Sequence, residues 1–415
     1  MIRLKPNPDN YFTCPECQAM DPLINKFIFE SINMYADCTC KACDLEFMQI
    51  LPVGHSVDYP MSFGVDNKKF YKKIDSPDWL SASVLKSHSE IRRDPVAIEK
   101  IVFKQYDQVV ILNTLDSLYG HVLLKLYNAF HHLNQDNEIG LIIIIPKIVK
   151  WLIPSGCAEA WVVDVKLSDL VYGYQFLQKF VADQLNQYQV VYVSKAYSHP
   201  VTSSEDIARL TGVVPFNLKN FGNLKPIITF ILREDRWWFN GPLDYWFYRI
   251  CRKLSISSWG NKILTRRQNQ LVRKVIKAIK LELPESSFHL IGLGKTGNFD
   301  GLAHDERSVS TPAEVEREWC RIYAMTHVVI GVHGSNMLLP TALAAGCVEI
   351  LPEDRYGNMI QDITVRYTDR QQLFFYRFSD QFAKPKSIAN KAIAMIRDYQ
   401  VFKKNMLINT YCHSS

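Results

Sequence analysis

The sequence predicts an α/β chain in which two Rossmann-like domains face a cleft, preceded by a small zinc-ribbon module. Two CxxC pairs near the N-terminus carry the first part of that expectation, and two successive runs of strands alternating with amphipathic helices carry the second. Length agrees, because 415 residues are too many for one ordinary core. A chain that is 47% hydrophobic and 22% charged has the balance of a folded globular protein, not of a disordered or fibrous one. The expected division is a ribbon over 1–55, a first Rossmann-like domain over 56–215, a second over 216–380, and a C-terminal helix over 381–415 that packs back on the first domain.

The ribbon rests on Cys14-x2-Cys17 and Cys40-x2-Cys43, two turns that each offer a pair of sulfurs from one tight loop. Four thiolates suit a structural zinc, and a site closed by four sulfurs has no open position for catalysis. Cys38 competes with Cys40 as third ligand; the repeated x2 spacing favours Cys40. Reduced, metal-free thiols are the alternative. The remaining cysteines are scattered singly, as buried thiols in a reducing compartment are. Charges and prolines occupy Met1 to Asn10 where a signal peptide needs an apolar run, and no apolar stretch reaches the ~20 residues that span a bilayer. A cytoplasmic location, peripheral at the inner membrane face, is the expectation.

Breakers mark a connector from Gly54 to Asp94. Strands are then expected over Gln108–Leu112, Gly140–Pro146, Ala160–Val165 and Gln189–Ser194, with helices over Gly120–Leu133 and Gly173–Asn186. A second alternation follows Pro215. Its strands are Lys225–Leu232, Phe288–Gly292, His327–Gly331 and Cys347–Leu351. Its helices are Asn269–Leu281, one opened by a capping arrangement at Thr311-Pro312-Ala313-Glu314, and Ser335–Ala345.

The chemistry concentrates between His327 and Asn358. A buried strand runs into His333-Gly334-Ser335-Asn336 and a helix begins at once, so free amides at the helix start form an anion site that glycine leaves approachable. Ser335 or Asn336 would also cap an ordinary helix. Glu349 lies in the next strand, where a carboxylate could receive a ribose diol or an internal arginine.

The block VHGSNMLLPTALAAGCVEILP resembles the C-terminal signature of glycosyltransferase family 61, with His333, Gly334, Ser335, Glu349 and Pro352 at matching positions. Ser335 stands where alanine is commoner. The resemblance implies a GT-B type enzyme that inverts configuration, needs no catalytic metal, and moves a sugar from a nucleoside-diphosphate sugar to a glycan or lipid-linked acceptor in surface polysaccharide synthesis. The first domain would then be the acceptor side. In LDSLYGHVLLKLYNAF, His121 is the first candidate for the general base and Asp116 the second. Arg233, after the first strand of the second domain, would neutralise the diphosphate, or else pair with Glu234 or Asp235. The membrane anchors and disulfides known in the family are not expected in this chain, which is expected to carry a ribbon instead.

Between Arg249 and Lys280 there are ten basic residues and no acid, preceded by aromatics from Trp237 to Tyr248. Residues 237–280 therefore suit an anionic membrane surface, or a core whose helix shows a basic side to water. Two rival functions share these features. A sugar-nucleotide epimerase uses the same two-domain fold, and a zinc-ribbon protein can bind nucleic acid; the ribbon itself is not basic, so no nucleic-acid partner is expected.

Overall fold

The computed structural model describes residues 1–65, 69–72, 76–135, 138–363 and 369–411. It divides into two compact units, Met1–Pro200 and Val201–Ser415. Each is built on a six-stranded sheet flanked by helices.

In the first unit, four parallel strands lie in the order Val190–Val193, Gln108–Asn113, Ile139–Pro146, Glu159–Val163. The run GLIIIIP is buried along its whole length, as a strand covered on both faces requires. Gly140 is dictated by packing: a Cβ there would lie 2.6 Å from the Tyr106 ring. Both edges are closed by antiparallel strands that alternation did not reveal. Ile98–Val102 pairs with Glu159–Val163, and Ile2–Lys5 at the very N-terminus pairs with Val190–Val193. The helix expected over Gly120–Leu133 breaks at Asn128, whose amide donates to the carbonyls of Leu124, Lys125 and Tyr197.

Cys14 and Cys17 lie just ahead of, and Cys40 and Cys43 between the second and third strands of, a five-stranded antiparallel sheet that runs from Leu23 to Lys72. It is inserted after the first strand of the unit rather than standing ahead of the fold. Cys14, Cys40 and Phe47 share one core with Val109, Ile142 and Trp161 of the parallel sheet. The inserted sheet has a second buried cluster of its own, with Tyr35, Met48, Met61 and Phe63, so it is covered both by that cluster and by the parallel sheet. Polar ties reinforce the junction, as where Asn113 donates to the Ser31 carbonyl at 2.8 Å.

The second sheet is parallel throughout, ordered His304–Asp305, Ser287–Leu293, Ile227–Arg233, Val328–Val332, Gly346–Leu351, Tyr376–Asp380. All its strands point one way, so their carboxyl ends form a single edge. The helix expected over Asn269–Leu281 extends to Ser257–Glu282. Helix Ala313–Met325 starts after Pro312 with no side-chain cap, so the Thr311 capping arrangement is not formed; proline at the cap position already fixes the entry. Near the C-terminus, helix Pro385–Arg397 packs against Ser257–Glu282 within this same unit. Among the described residues no helix is long and apolar enough to cross a membrane. Cys412 lies outside the described residues.

Candidate active-site residues and the cysteine cluster

Strand Val328–Val332 delivers His333 and Gly334 to the carboxyl edge of the second sheet. Gly334 has φ +146°, a conformation that side chains rarely adopt, and a Cβ there would collide with the Arg236 guanidinium. Glycine is needed on both counts. Its successors Ser335–Met337 form a tight turn leading into helix Leu338–Leu343, with Gly334 and not a serine or asparagine side chain at the cap. The amides of Ser335 and Asn336 consequently have no hydrogen-bond partner among the described residues. The Asn336 Oδ1 is likewise buried without a partner there.

Behind the turn is a buried trio. His333 Nδ1 lies 2.9 Å from Glu349 Oε1 and 3.1 Å from Asp362 Oδ2, and the Gly334 N–H donates to Asp362 Oδ2 at 3.0 Å. Glu349 faces Gly331 across the sheet and is 1% exposed. Its carboxyl thus meets a histidine and a second carboxyl. Neither an arginine nor an open crevice receives it. Burial pushes Glu349 up to about 7, and burial together with Glu349 pushes Asp362 well above the carboxylate range. Burial also lowers His333, although Asp362 opposes that shift. Two adjacent desolvated carboxyls cannot both be ionised cheaply, so a proton is retained between them. The three donor groups lie within 4.8 Å of one another, close enough to surround a small cation.

Arginine in front of the turn is differently placed from expectation. Arg233 ends strand Ile227–Arg233 and is held bidentately by Asp235, at 2.7 and 2.6 Å. Arg236, three residues on, is the side chain that reaches the turn, donating to the His333 carbonyl at 3.0 Å. Among the described residues no carboxylate is in ion-pair contact with it. Burial is the chief cause that lowers its pKa; Arg233 and Arg355, which follows the next strand but one, lower it further, and Asp235 and Asp362 oppose the shift. Sequence gave one signal for Arg236, its place just past the strand end, but Arg233 shares that signal.

In the first unit, Asp116 and His121 come together at the carboxyl end of strand Gln108–Asn113. Asp116 Oδ1 is 3.3 Å from His121 Nδ1, and Asp116 Oδ2 is 3.0 Å from the Lys125 ammonium. Burial alone would raise the Asp116 carboxyl. Lys125 and His121 outweigh it and hold Asp116 well below the carboxylate range, so it stays ionised. His121 is half-buried, and with Nδ1 turned to Asp116 its Nε2 is the nitrogen left for other contacts. The ring of His55, far back in sequence, lies 5.6 Å from that of His121. Burial, then His121 and Lys125, lower His55 to about 4, so it is a neutral neighbour. Neither Lys125 nor His55 carried a sequence signal of its own.

Cys14, Cys17, Cys40 and Cys43 bring their sulfurs together, with Cys14 Sγ 3.7 Å from Cys43 Sγ and Cys17 Sγ 3.5 Å from Cys40 Sγ. These spacings are far too long for disulfides. A tetrahedral ion with metal–sulfur bonds of about 2.3 Å needs edges of about 3.8 Å, close to what is found. The two knuckles repeat one another: Gln18 and Asp44, each just after a second cysteine, have φ of 62° and 55°. Cys38 is not part of the cluster. It faces the core, donates towards the Ala36 carbonyl, and is pushed up to about 12 by burial.

No protein-family model matches the chain, and no curated protein does. Among solved structures it is similar to the E. coli ADP-heptose LPS heptosyltransferase II, at 10% identity and a TM-score of 0.37, over 71% of this chain and 99% of that one. It is also similar to the trehalose-6-phosphate synthase OtsA, at 8% identity and a TM-score of 0.21 over 71% of each chain. The GtfA/B complex is a third, at 10% identity and a TM-score of 0.23 over 90% of this chain and 67% of that one. Likenesses this slight fix neither a donor nor a reaction.

The buried trio makes a pH prediction. Glu349 binds its proton more tightly folded than unfolded, so its contribution is fully present below the unfolded pKa and is lost as pH rises through about 7. Glu349→Gln removes that loss. Relative to the parent, the variant should gain on the order of 2 kcal/mol between about pH 5 and about pH 8 in denaturant unfolding. A pH-independent difference would show that Glu349 titrates normally.

Proposed function

We propose that the second unit seats the diphosphate of a nucleoside-diphosphate sugar on the Gly334 turn, and that the protein is an inverting, metal-independent glycosyltransferase acting on a glycan or lipid-linked acceptor. One observation carries the reading: among the described residues the amides of Ser335 and Asn336 have no hydrogen-bond partner, and they share the turn with Arg236, a half-buried guanidinium that donates to the His333 carbonyl and makes no ion-pair contact there. Amides at a helix start and an arginine fork are the donors a pyrophosphate accepts from. Arg355 lies near enough to Arg236 for their charges to interact, while Arg233 is neutralised by its pair with Asp235. The resemblance of the surrounding block to glycosyltransferase family 61 supports the choice of a sugar nucleotide. In this reading Glu349 and His333 work behind the turn, fixing its shape, and the ribose is held elsewhere.

His121 is the proposed base. The acceptor hydroxyl gives its proton to His121 Nε2 while its oxygen bonds to the anomeric carbon; the bond from that carbon to the β-phosphate oxygen breaks, and the nucleoside diphosphate leaves with the electron pair. Asp116 orients the ring through Nδ1 and stabilises the imidazolium that forms. Without a divalent cation, Arg236 and the turn amides must neutralise the leaving group.

Zinc on the four cysteines is the second part of the proposal. The tetrahedral sulfur spacing supports it, and the ion would tie the two knuckles together and so hold the inserted sheet on the first unit's core.

Each part of the proposal has its own test. In a thermal-shift panel of nucleoside diphosphates and sugar nucleotides, at least one should raise the melting temperature, and Arg236→Ala should abolish the rise. A panel with no responder removes the enzymatic reading. His121→Ala should cut transfer by about 10²-fold or more while leaving the nucleotide shift in place, and turnover should persist in chelator at levels that strip Mg²⁺ and Mn²⁺. Free nucleoside diphosphate must accumulate with product; its absence would favour an epimerase. Elemental analysis should find one zinc per chain, retained in Cys38→Ser and lost in Cys40→Ser, and the reverse pattern would refute the ligand set.

A further inference from the structure

Helix Pro242–Lys253 has two apolar sides. Tyr245, Phe247 and Tyr248 pack inward on a core of Trp237, Phe239 and Leu264, so those aromatics are structural. The opposite side is unusual. Leu243, Trp246, Ile250 and Leu254 recur at helical spacing, and they are 83%, 59%, 51% and 61% exposed. Ile256 and Trp259, in the turn and at the start of the next helix, continue the exposed apolar surface. Single exposed apolar residues are ordinary, but a continuous stripe marks a surface with a partner.

The charge around the stripe says which partner. Arg249, Arg252, Lys253, Lys262 and Arg266 are all exposed, and no acid occurs between Arg249 and Lys280. Arg249 lies over the Trp246 ring at 5.6 Å, its stem beside the stripe and its charge at the border. Between the start of this helix and the middle of helix Ser257–Glu282 there is an open cavity of about 490 Å³ whose lining includes Leu243, Gln270 and Lys274, together with Arg267 paired to Asp244. Apolar and cationic groups therefore meet on one face.

We propose that this face docks on the surface of an anionic lipid bilayer, with Leu243, Trp246, Ile250 and Leu254 entering the boundary of the acyl chains and the flanking cations resting on head-group phosphates. Other occupants meet only half of the surface. A second copy of the chain would set one cationic patch against another, and a nucleic acid would neutralise the cations but leave the leucine and isoleucine side chains in water. The proposal is independent of the nucleotide site, because it requires no donor and no turnover.

The test is co-sedimentation of the full chain with vesicles of phosphatidylglycerol mixed into phosphatidylcholine, set against vesicles of phosphatidylcholine alone. Binding should require the anionic lipid and weaken about tenfold or more when salt rises from about 0.05 M to about 0.5 M. The double variant Trp246→Ser, Ile250→Ser should weaken it about tenfold or more, and so should Arg249→Gln with Lys253→Gln. These side chains are exposed, so melting temperatures should stay at the parent value, which separates lost docking from lost folding. The idea fails if the folded parent ignores anionic vesicles, or if the serine variant sediments as the parent does. It fails equally if light scattering finds a dimer that the serine variant dissolves, or if a single-stranded oligonucleotide binds tightly and displaces the protein from vesicles irrespective of Trp246 and Ile250.

Discussion

The hydrogen-bonded contact of His333, Glu349 and Asp362 fixes the geometry of the second unit's carboxyl edge. Taking an ionised carboxylate out of water costs several kcal/mol unless it is compensated, and here two carboxyls are buried side by side with one histidine. Burial raises both carboxyls toward their neutral forms, which lowers that cost, and Asp362 also accepts the Gly334 amide. Three segments distant in sequence are thereby locked: the turn after Val332, the strand Gly346–Leu351 and the loop at Asp362. Gly334 then has one available conformation, and Arg236 can lie against it only because there is no Cβ in the way.

The buried acid of the first unit illustrates the opposite outcome of the same contest. Asp116 is buried too, yet a lysine and a histidine within 3.3 Å keep it charged, where Glu349 has only a histidine that a second carboxyl also claims. Environment thus divides the two acids into a fixed anion beside His121 and a proton-holding strut beneath the turn. Under the proposed function that division is what the chemistry needs, since the base requires a permanent counter-charge and a diphosphate seat must not present a second bare carboxylate to its ligand.

Much of this was legible in the chain. Cys14-x2-Cys17 and Cys40-x2-Cys43 announce their cluster because a knuckle is a local turn, and the structure repeats its left-handed residue at Gln18 and Asp44. The isoleucine run at 142–145 and the successive apolar strands of the second half announce parallel sheets because a strand buried on both faces cannot afford polar alternation. Edge strands escaped notice for a related reason. Ile2–Lys5 and Ile98–Val102 are short and half-polar, and only their antiparallel partners make them strands. Likewise the ribbon reads as a separate module from its cysteines, although Phe47 and Cys40 are core residues of the same unit as Trp161.

Local pattern by itself determined the sheet-forming segments, the cysteine knuckles, the glycine turn and the basic run, since each is set by neighbours within a few residues. Only tertiary structure decided that Arg236 and not Arg233 meets the turn, that Asp362 and His55 stand beside the residues expected to act, and that Trp237 is buried while Trp246 faces outward. Those outcomes depend on how strands far apart in the chain close into a sheet and on which side of a helix that closure covers. Composition and spacing carry no term for such long-range contact, whereas packing and the cost of burying unpaired charge do.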